Sequence, residues 1–165
     1  MIRIIEPGEE GLLEEIDQRA DRLVEPFGYW PLPDTDPLPG GTVEHAVTFV
    51  AGRPPVGFAE VDVVDGTAHL AQLSVLPEHG RQGIGRALVE AACDWARGAG
   101  HDAITLTTFA DIPFNAPWYR RLGFEEMRDP GPGLQAVIRS EAPLEALGTR
   151  VTMRRRLWED RGDER

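Results

Sequence analysis

The sequence predicts a mixed α/β fold: a mostly antiparallel sheet of about seven strands with flanking helices. Three observations lead there. Residues 43–76 hold three strand-like stretches in succession, separated by turn signals. Residues 69–109 read as strand, glycine turn, amphipathic helix and strand, a unit whose two strands lie parallel across a right-handed crossover. Shorter strand-like stretches at 2–5, 124–127 and 151–157 bring the count to seven.

In chain order, the strand at 2–5 precedes Pro7 and Gly8. Leu12, Leu13, Ile16, Ala20, Leu23 and Val24 then recur at helical spacing, with Glu9 and Glu10 where a helix dipole favours acids. This helix is expected to end near Glu25. Residues 26–41 carry five prolines and three glycines, so no long regular element fits there. Strands follow at 43–50, 56–64 and 69–76, with turns at Gly52-Arg53-Pro54 and at Asp65-Gly66, the latter a strong hairpin cue. A helix over 83–97 presents Ile84, Leu88, Ala91, Ala92 and Trp95 as one apolar stripe and stops at Gly98 and Gly100. After the strand at 103–109, a short helix spans 115–122, with Asn115 as its N-cap, Pro117 near its start and Gly123 after its end. A Pro/Gly turn at 129–133 leads to a short helix at 134–140 and the last strand. The expected domain runs over 1–157, with a polar tail from Trp158 to Arg165.

A chain of 165 residues can bury an ordinary core, and 41% hydrophobic with 27% charged residues is the usual globular balance. The formal charge of −11 argues against a general basic surface for nucleic acid and favours a neutral or cationic partner. All 17 basic residues are arginine. Cys93 is the only cysteine and reads as a small core residue, so no intrachain disulfide is expected. Neither a membrane-spanning apolar run nor a signal pattern is read, so a cytoplasmic location without membrane association is the expectation.

The chemistry is expected around the turn GRQGIG, residues 80–85. A glycine turn opening a helix leaves backbone N–H groups exposed, and an anionic phosphate is their natural guest. Two nucleotide patterns fail here. The dinucleotide fingerprint puts its third glycine at Leu88, and the phosphate-loop pattern puts its Lys and Ser/Thr at Arg86 and Ala87.

Gly83-Ile84-Gly85 resembles instead the glycine core of the pattern Gln/Arg-x-x-Gly-x-Gly/Ala of the GNAT N-acetyltransferases. The leading Gln or Arg of that pattern falls on Gly80, with Arg81 and Gln82 following. A second segment, NAPWYRRLGF over 115–124, is similar to the family's N…A…Y…LGF signature. The resemblance covers residues 43–127 well and implies a sheet split between its fourth and fifth strands, where acetyl-CoA binds. It implies direct transfer of the acetyl group to a primary amine of a small molecule or peptide, with no nucleophilic residue. An acyl-CoA-binding or regulatory module without catalysis is the alternative, and dimers are frequent in the family, so a homodimer is in view.

By that resemblance the backbone of Gly83, Ile84 and Gly85 would hold the pyrophosphate, and Gln82, Arg81 and Arg86 flank it. The backbone of Leu73, Ser74 and Val75, where the family's fourth strand bulges and splays from the fifth, would bind pantetheine. Asn115 would contact CoA besides capping its helix. Tyr119 falls on the family tyrosine that acts as general acid toward the thiolate, a workable match for a phenol. His69, at the start of its strand, lands on the position of the base in histone-type members, and an ordinary imidazole could serve near neutral pH. Glu60 and Asp62, two apart on one face of the neighbouring strand, could accept the amine proton directly or through water. Phe27, Tyr29 and Trp30 would line the acceptor pocket, although the same rings could pin their loop to the core. No metal site is expected.

Overall fold

In the computed structural model, which describes residues 1–158, the strand-like stretches form one seven-stranded sheet ordered β1-β2-β3-β4-β5-β7-β6. The strands are β1 Ile2–Ile4, β2 Glu44–Ala51, β3 Gly57–Val64, β4 Thr67–Val75, β5 Ala103–Phe109, β6 Glu125–Glu126 and β7 Arg150–Arg156. The helices are α1 Glu10–Asp21, α2 Ile84–Gly98, α3 Ala116–Arg121 and α4 Pro132–Ser140. β4 and β5 are parallel, and the other neighbouring pairs are antiparallel. From residue 159 on, the expected tail lies outside the described residues.

Two helices cover each face of the sheet. α2 buries Leu88, Val89, Ala92, Cys93 and Ala96 on Ala59, Val61, Ala68, Leu70, Ile104 and Leu106, and α3 adds Ala116 to the same core. This stripe is rotated from the expected one: small residues face the sheet, while Ala91 and Trp95 lie half-buried at its edge. Burial pushes the Cys93 thiol up to about 11, as suits a core residue without chemistry. On the opposite face α1 packs Ile16 onto Val50 and Phe58, and α4 packs Leu134 and Val137 onto Val64. Asp65 joins α4 to the β3–β4 hairpin, its carboxylate accepting from Gly133 N at 2.8 Å and Leu134 N at 2.9 Å.

α1 stops at Asp21, before the expected end near Glu25, and the chain tightens into a 3-10 turn over Arg22–Phe27. Pro26 is the cause, since it has no N–H to give and its ring would crowd the carbonyl of Arg22. Among the described residues no helix is long and apolar enough to cross a membrane.

Two β-bulges decide which residues face α1. Ala46 is the extra residue of β2 between His45↔Asp62 and Val47↔Val61. Ala71 is the extra residue of β4 between Gln72↔Glu60 and Leu70↔Val61. Each bulge shifts the alternation by one. His45, Gln72 and Ser74 therefore share the α1 side with Glu60, Asp62 and His69.

Candidate active site

β4 and β5 pair only at Ala68↔Ile104 and His69↔Thr105. Beyond that point β4 stays on β3, through Leu73↔Ala59, Ser74↔Phe58 and Val75↔Gly57, while β5 stays on β7. The sheet is thus open between them, and the β5-facing backbone of Leu73, Ser74 and Val75 has no strand partner among the described residues. The bulge lies at Ala71, two residues before the expected place, so residues 73–75 are regular strand.

At the end of β4 the chain makes a 3-10 turn over Pro77–His79 and reaches α2 through Gly80–Gly83. Gly83 is the N-cap at φ +79° and offers no side-chain cap, so the first N–H groups of α2 are left for another acceptor. A Cβ built on Gly83 meets nothing within 4 Å among the described residues, so the ground before the helix end is open. Gly85 is different, with the Trp118 ring 3.5 Å from such a Cβ. Arg81, Gln82 and Arg86 are exposed, and neither arginine forms an ion pair among the described residues. Free amides, open space and uncommitted guanidinium groups suit a diphosphate ester.

α3 brings up the other wall. Asn115 holds the N-cap position but makes no side-chain cap; its Oδ1 accepts from Thr108 Oγ1 at 2.7 Å. This corrects the capping expectation, because a hydroxyl on β5 outcompetes the helix amides for that oxygen. Tyr119 lies edge-on to Trp118 at 5.0 Å and to Phe124 at 5.5 Å between ring centroids. Trp118 and Tyr119, adjacent in α3, thus pack together. Burial raises the Tyr119 phenol above its usual range, and its hydroxyl makes no hydrogen bond among the described residues.

On the α1 side, Asp17 accepts from Ser74 Oγ at 3.0 Å and from Gln72 Nε2. Gln72 is the cross-strand partner of Glu60, and Asp62 that of His69. His45 Nδ1 lies 3.1 Å from Asp62 Oδ1 and 3.4 Å from Glu60 Oε1. Ligand atoms of these three lie within 4.8 Å of one another, a spacing that would admit one cation. Burial raises the pKa values of Asp17, Glu60 and Asp62, opposed at Asp62 by the His45 hydrogen bond. Asp21, one helical turn after Asp17, is pushed up to about 6 by burial and by the charge of Asp17.

His69 is the third residue of β4, not its first, and only 4% exposed. Its Nδ1 lies 2.8 Å from Thr105 Oγ1, and burial pulls the imidazole down to about 4. The ring is therefore neutral near pH 7, a weaker base than an ordinary imidazole.

The Asp21 carboxyl titrates near 3.8 when unfolded and about 6 when folded. The folded state binds the extra proton between those values, so stability falls as pH rises through them. Asp21→Asn is expected to stabilise the fold by about 1 kcal/mol at pH 7.5, allowing for solvent screening. The gain should vanish below pH 4, which thermal melts at both pH values would check.

The loop at 28–42 crosses the open end of β5. Tyr29 packs edge-on to Phe109 at 4.9 Å, and Trp30 lies under the Arg22 guanidinium at 5.0 Å. Phe27, 45% exposed, meets Phe114 edge-on at 5.8 Å. Gly148 makes room for Tyr29: a Cβ there would come within 3.0 Å of the hydroxyl and two ring carbons. Gly148→Ala is accordingly expected to cost about 1–3 kcal/mol through overpacking, with a matching loss in thermal melting temperature.

Residues 13–124 match the model of the acetyltransferase (GNAT) family. The structure is similar to the ribosomal-protein-S18-alanine N-acetyltransferase of Escherichia coli, at 21% identity and TM-score 0.62, covering 95% of this chain and 93% of that one. It is similar to a GNAT acetyltransferase of Brucella melitensis in complex with acetyl-CoA (21% identity, TM-score 0.54, 76% and 82% covered). A third is the PaiA N-acetyltransferase of Thermoplasma acidophilum in complex with coenzyme A (16% identity, TM-score 0.61, 94% and 98% covered). These likenesses are of fold, and the family match spans more than half of the sequence. The chain belongs to the GNAT acetyltransferase family.

Proposed function

We propose that the protein transfers the acetyl group of acetyl-CoA to a primary amine, binding both substrates at the opening between β4 and β5. The observation that carries this is the continuity of the opening with the uncapped N-terminus of α2 at Gly83. Pantetheine would lie along the backbone of Leu73, Ser74 and Val75. The pyrophosphate would meet the amides of Gly83, Ile84 and Gly85, with Arg81, Gln82 and Arg86 around it. Asn115, engaged with Thr108, would orient α3 beside the thioester.

In the reaction the amine nitrogen bonds to the acetyl carbon and the C–S bond breaks. The amine proton goes to Glu60, directly or through water, and the leaving thiolate takes the Tyr119 proton. Glu60 is a better base than a free carboxylate because burial raises its pKa. His69, neutral at working pH, contributes a lone pair at Nε2 and orients the nitrogen. Phe27, Tyr29 and Trp30 bound the acceptor side.

Acetyl-CoA-dependent release of thiol over a panel of amines tests this. Glu60→Gln should lower kcat/KM roughly tenfold and remove the acid limb of the pH profile, where activity rises as the carboxyl loses its proton. An unchanged acid limb in that variant would shift the base elsewhere. The same reading places the enzyme in the cytoplasm, with a small-molecule or peptide acceptor, no nucleic-acid partner and a homodimer as the assembly for sedimentation to examine.

A further inference from the structure

On the α4 side of the sheet, β5 and β7 border a cavity of about 40 Å³, whose wall includes Thr107, Ile138, Glu141, Glu145, Arg150 and Thr152. A water needs about 10–15 Å³, so a small polar group fits. Thr107 lies opposite Thr152 across the two strands, and Phe109 opposite Arg150. Thr105, Thr107 and Phe109 alternate onto one face, the face on which Thr105 meets His69. The cavity is therefore close to the opening, since Thr107 is two residues, or about 7 Å, along β5 from Thr105. Phe109 in turn meets Tyr29 of the loop proposed to bound the acceptor.

Arg150 is the group in this wall that lacks partners. Its side chain is only 15% exposed. Among the described residues, two buried side-chain polar atoms have no hydrogen-bond partner, Nε of Arg3 and Nε of Arg150. Arg3 is well served at its other nitrogens, with two 2.7 Å bonds to Glu9 and one of 2.9 Å to Gly52 O. Arg150 is not. Its Nη2 reaches Thr107 Oγ1 and Glu141 Oε1 at 3.4 Å each, beyond the usual range, and Nη1 has no acceptor among the described residues. The Phe109 ring, 4.6 Å from Arg150 Cζ, offers a π face but no oxygen. Glu141 is itself shared, because its Oε1 also accepts from the Thr107 hydroxyl at 2.7 Å. Burial lowers the pKa of the Arg150 guanidinium in spite of Glu141, as suits a cation short of counter-charge. A largely buried guanidinium with donors to spare beside a cavity is matched by a carboxylate.

We infer that the acceptor is a primary amine that also carries a carboxylate, held by Arg150 in this cavity while the amine reaches the opening beside His69. This rests on the acetyl transfer proposed above and names its substrate class. The strand spacing puts the two groups about 7 Å apart, a separation that 6-aminohexanoate spans. Such a zwitterion is net neutral, so the chain's charge of −11 does not repel it. Glu145 is exposed, and solvent and salt screen its charge from the ligand.

Calorimetric titration of 6-aminohexanoate, 6-aminohexanamide and hexylamine, each with and without CoA, tests the inference apart from turnover. The carboxylate is expected to bind the wild type at least about tenfold more tightly than the amide or the plain amine, a difference of about 1.4 kcal/mol. Arg150→Gln should remove that advantage, with melting temperature and acetyl-CoA affinity reporting an intact fold. Arg150→Lys keeps a cation in the cavity, guards against loss of fold in the first variant, and should retain only part of the advantage. The three ligands binding alike, none binding, the amide matching the carboxylate, or either variant keeping the full preference would each overturn the inference. Acetyl-CoA titrated alone reports on the parent reading: if it binds while the carboxylate has no advantage, the transferase stands and its acceptor lacks that group. Preferential binding of 6-aminohexanoate without acetyl-CoA binding would keep the Arg150 site and remove the transferase.

Discussion

Gly83→Glu is expected to weaken acetyl-CoA binding by at least about a hundredfold, or about 2.7 kcal/mol. The new side chain starts at the N-cap of α2 and points into space where a Cβ meets nothing within 4 Å. Its carboxylate would compete for the amides proposed for the pyrophosphate and repel that group as well. Two effects on the fold oppose each other. A non-glycine residue at φ +79° costs about 1 kcal/mol, while an acid at a helix N-terminus returns about 0.3–1 kcal/mol. The variant should therefore melt within a few degrees of the parent. Gly83→Ala separates the contributions: it carries the strain without the charge, and it should lose far less affinity. Calorimetry with acetyl-CoA on all three proteins checks this, and full affinity in Gly83→Glu would remove the turn from the binding site.

Local patterns make much of this molecule legible in its sequence. The Asp65-Gly66 turn, the glycine turn before α2 and the strand periods all depend on neighbours a few residues away, and they appear within a residue or two of their expected places. The acidic side of the site depends on pairings across strands. Glu60 and Asp62 could be read as sharing a face because β3 is regular between them. His45 and Gln72 could not, because each owes its face to a bulge, and an extra alanine at 46 or 71 leaves no mark in composition. Asp17 and Asp21 were visible only as polar positions of an amphipathic helix. Their one signal was an i, i+4 pair of like charges, which repels unless something cationic lies across it.

Asn115 and His69 show the limit from another side. Asparagine before a short helix is a good cap on local grounds, yet the Thr108 hydroxyl, seven residues back on β5, takes the same oxygen. His69 reads as a strand start because the hairpin cue precedes it closely. In the fold it sits at the last rung of β4–β5 pairing, where burial lowers its basicity. In both cases a neighbour on another strand sets the environment of the residue.

Tyr119→Phe carries the second large effect, an expected fall in kcat of about a hundredfold with little change in acetyl-CoA affinity. The hydroxyl is the only group removed. It makes no hydrogen bond among the described residues, and its ring is held by Trp118 and Phe124, which a phenylalanine ring would meet in the same way. Loss of a hydroxyl without a partner among the described residues should leave stability nearly unchanged. A purely structural tyrosine would leave kcat intact, so the pairing of a kinetic loss with an unchanged melting temperature is what identifies an acid. The pH dependence adds a sign. Because burial raises the phenol above its ordinary value, the proton stays on throughout the working range, and the wild type should show no alkaline limb from Tyr119 up to about pH 10. A kcat unaffected by Tyr119→Phe would leave water to protonate the thiolate and would reduce this residue to packing.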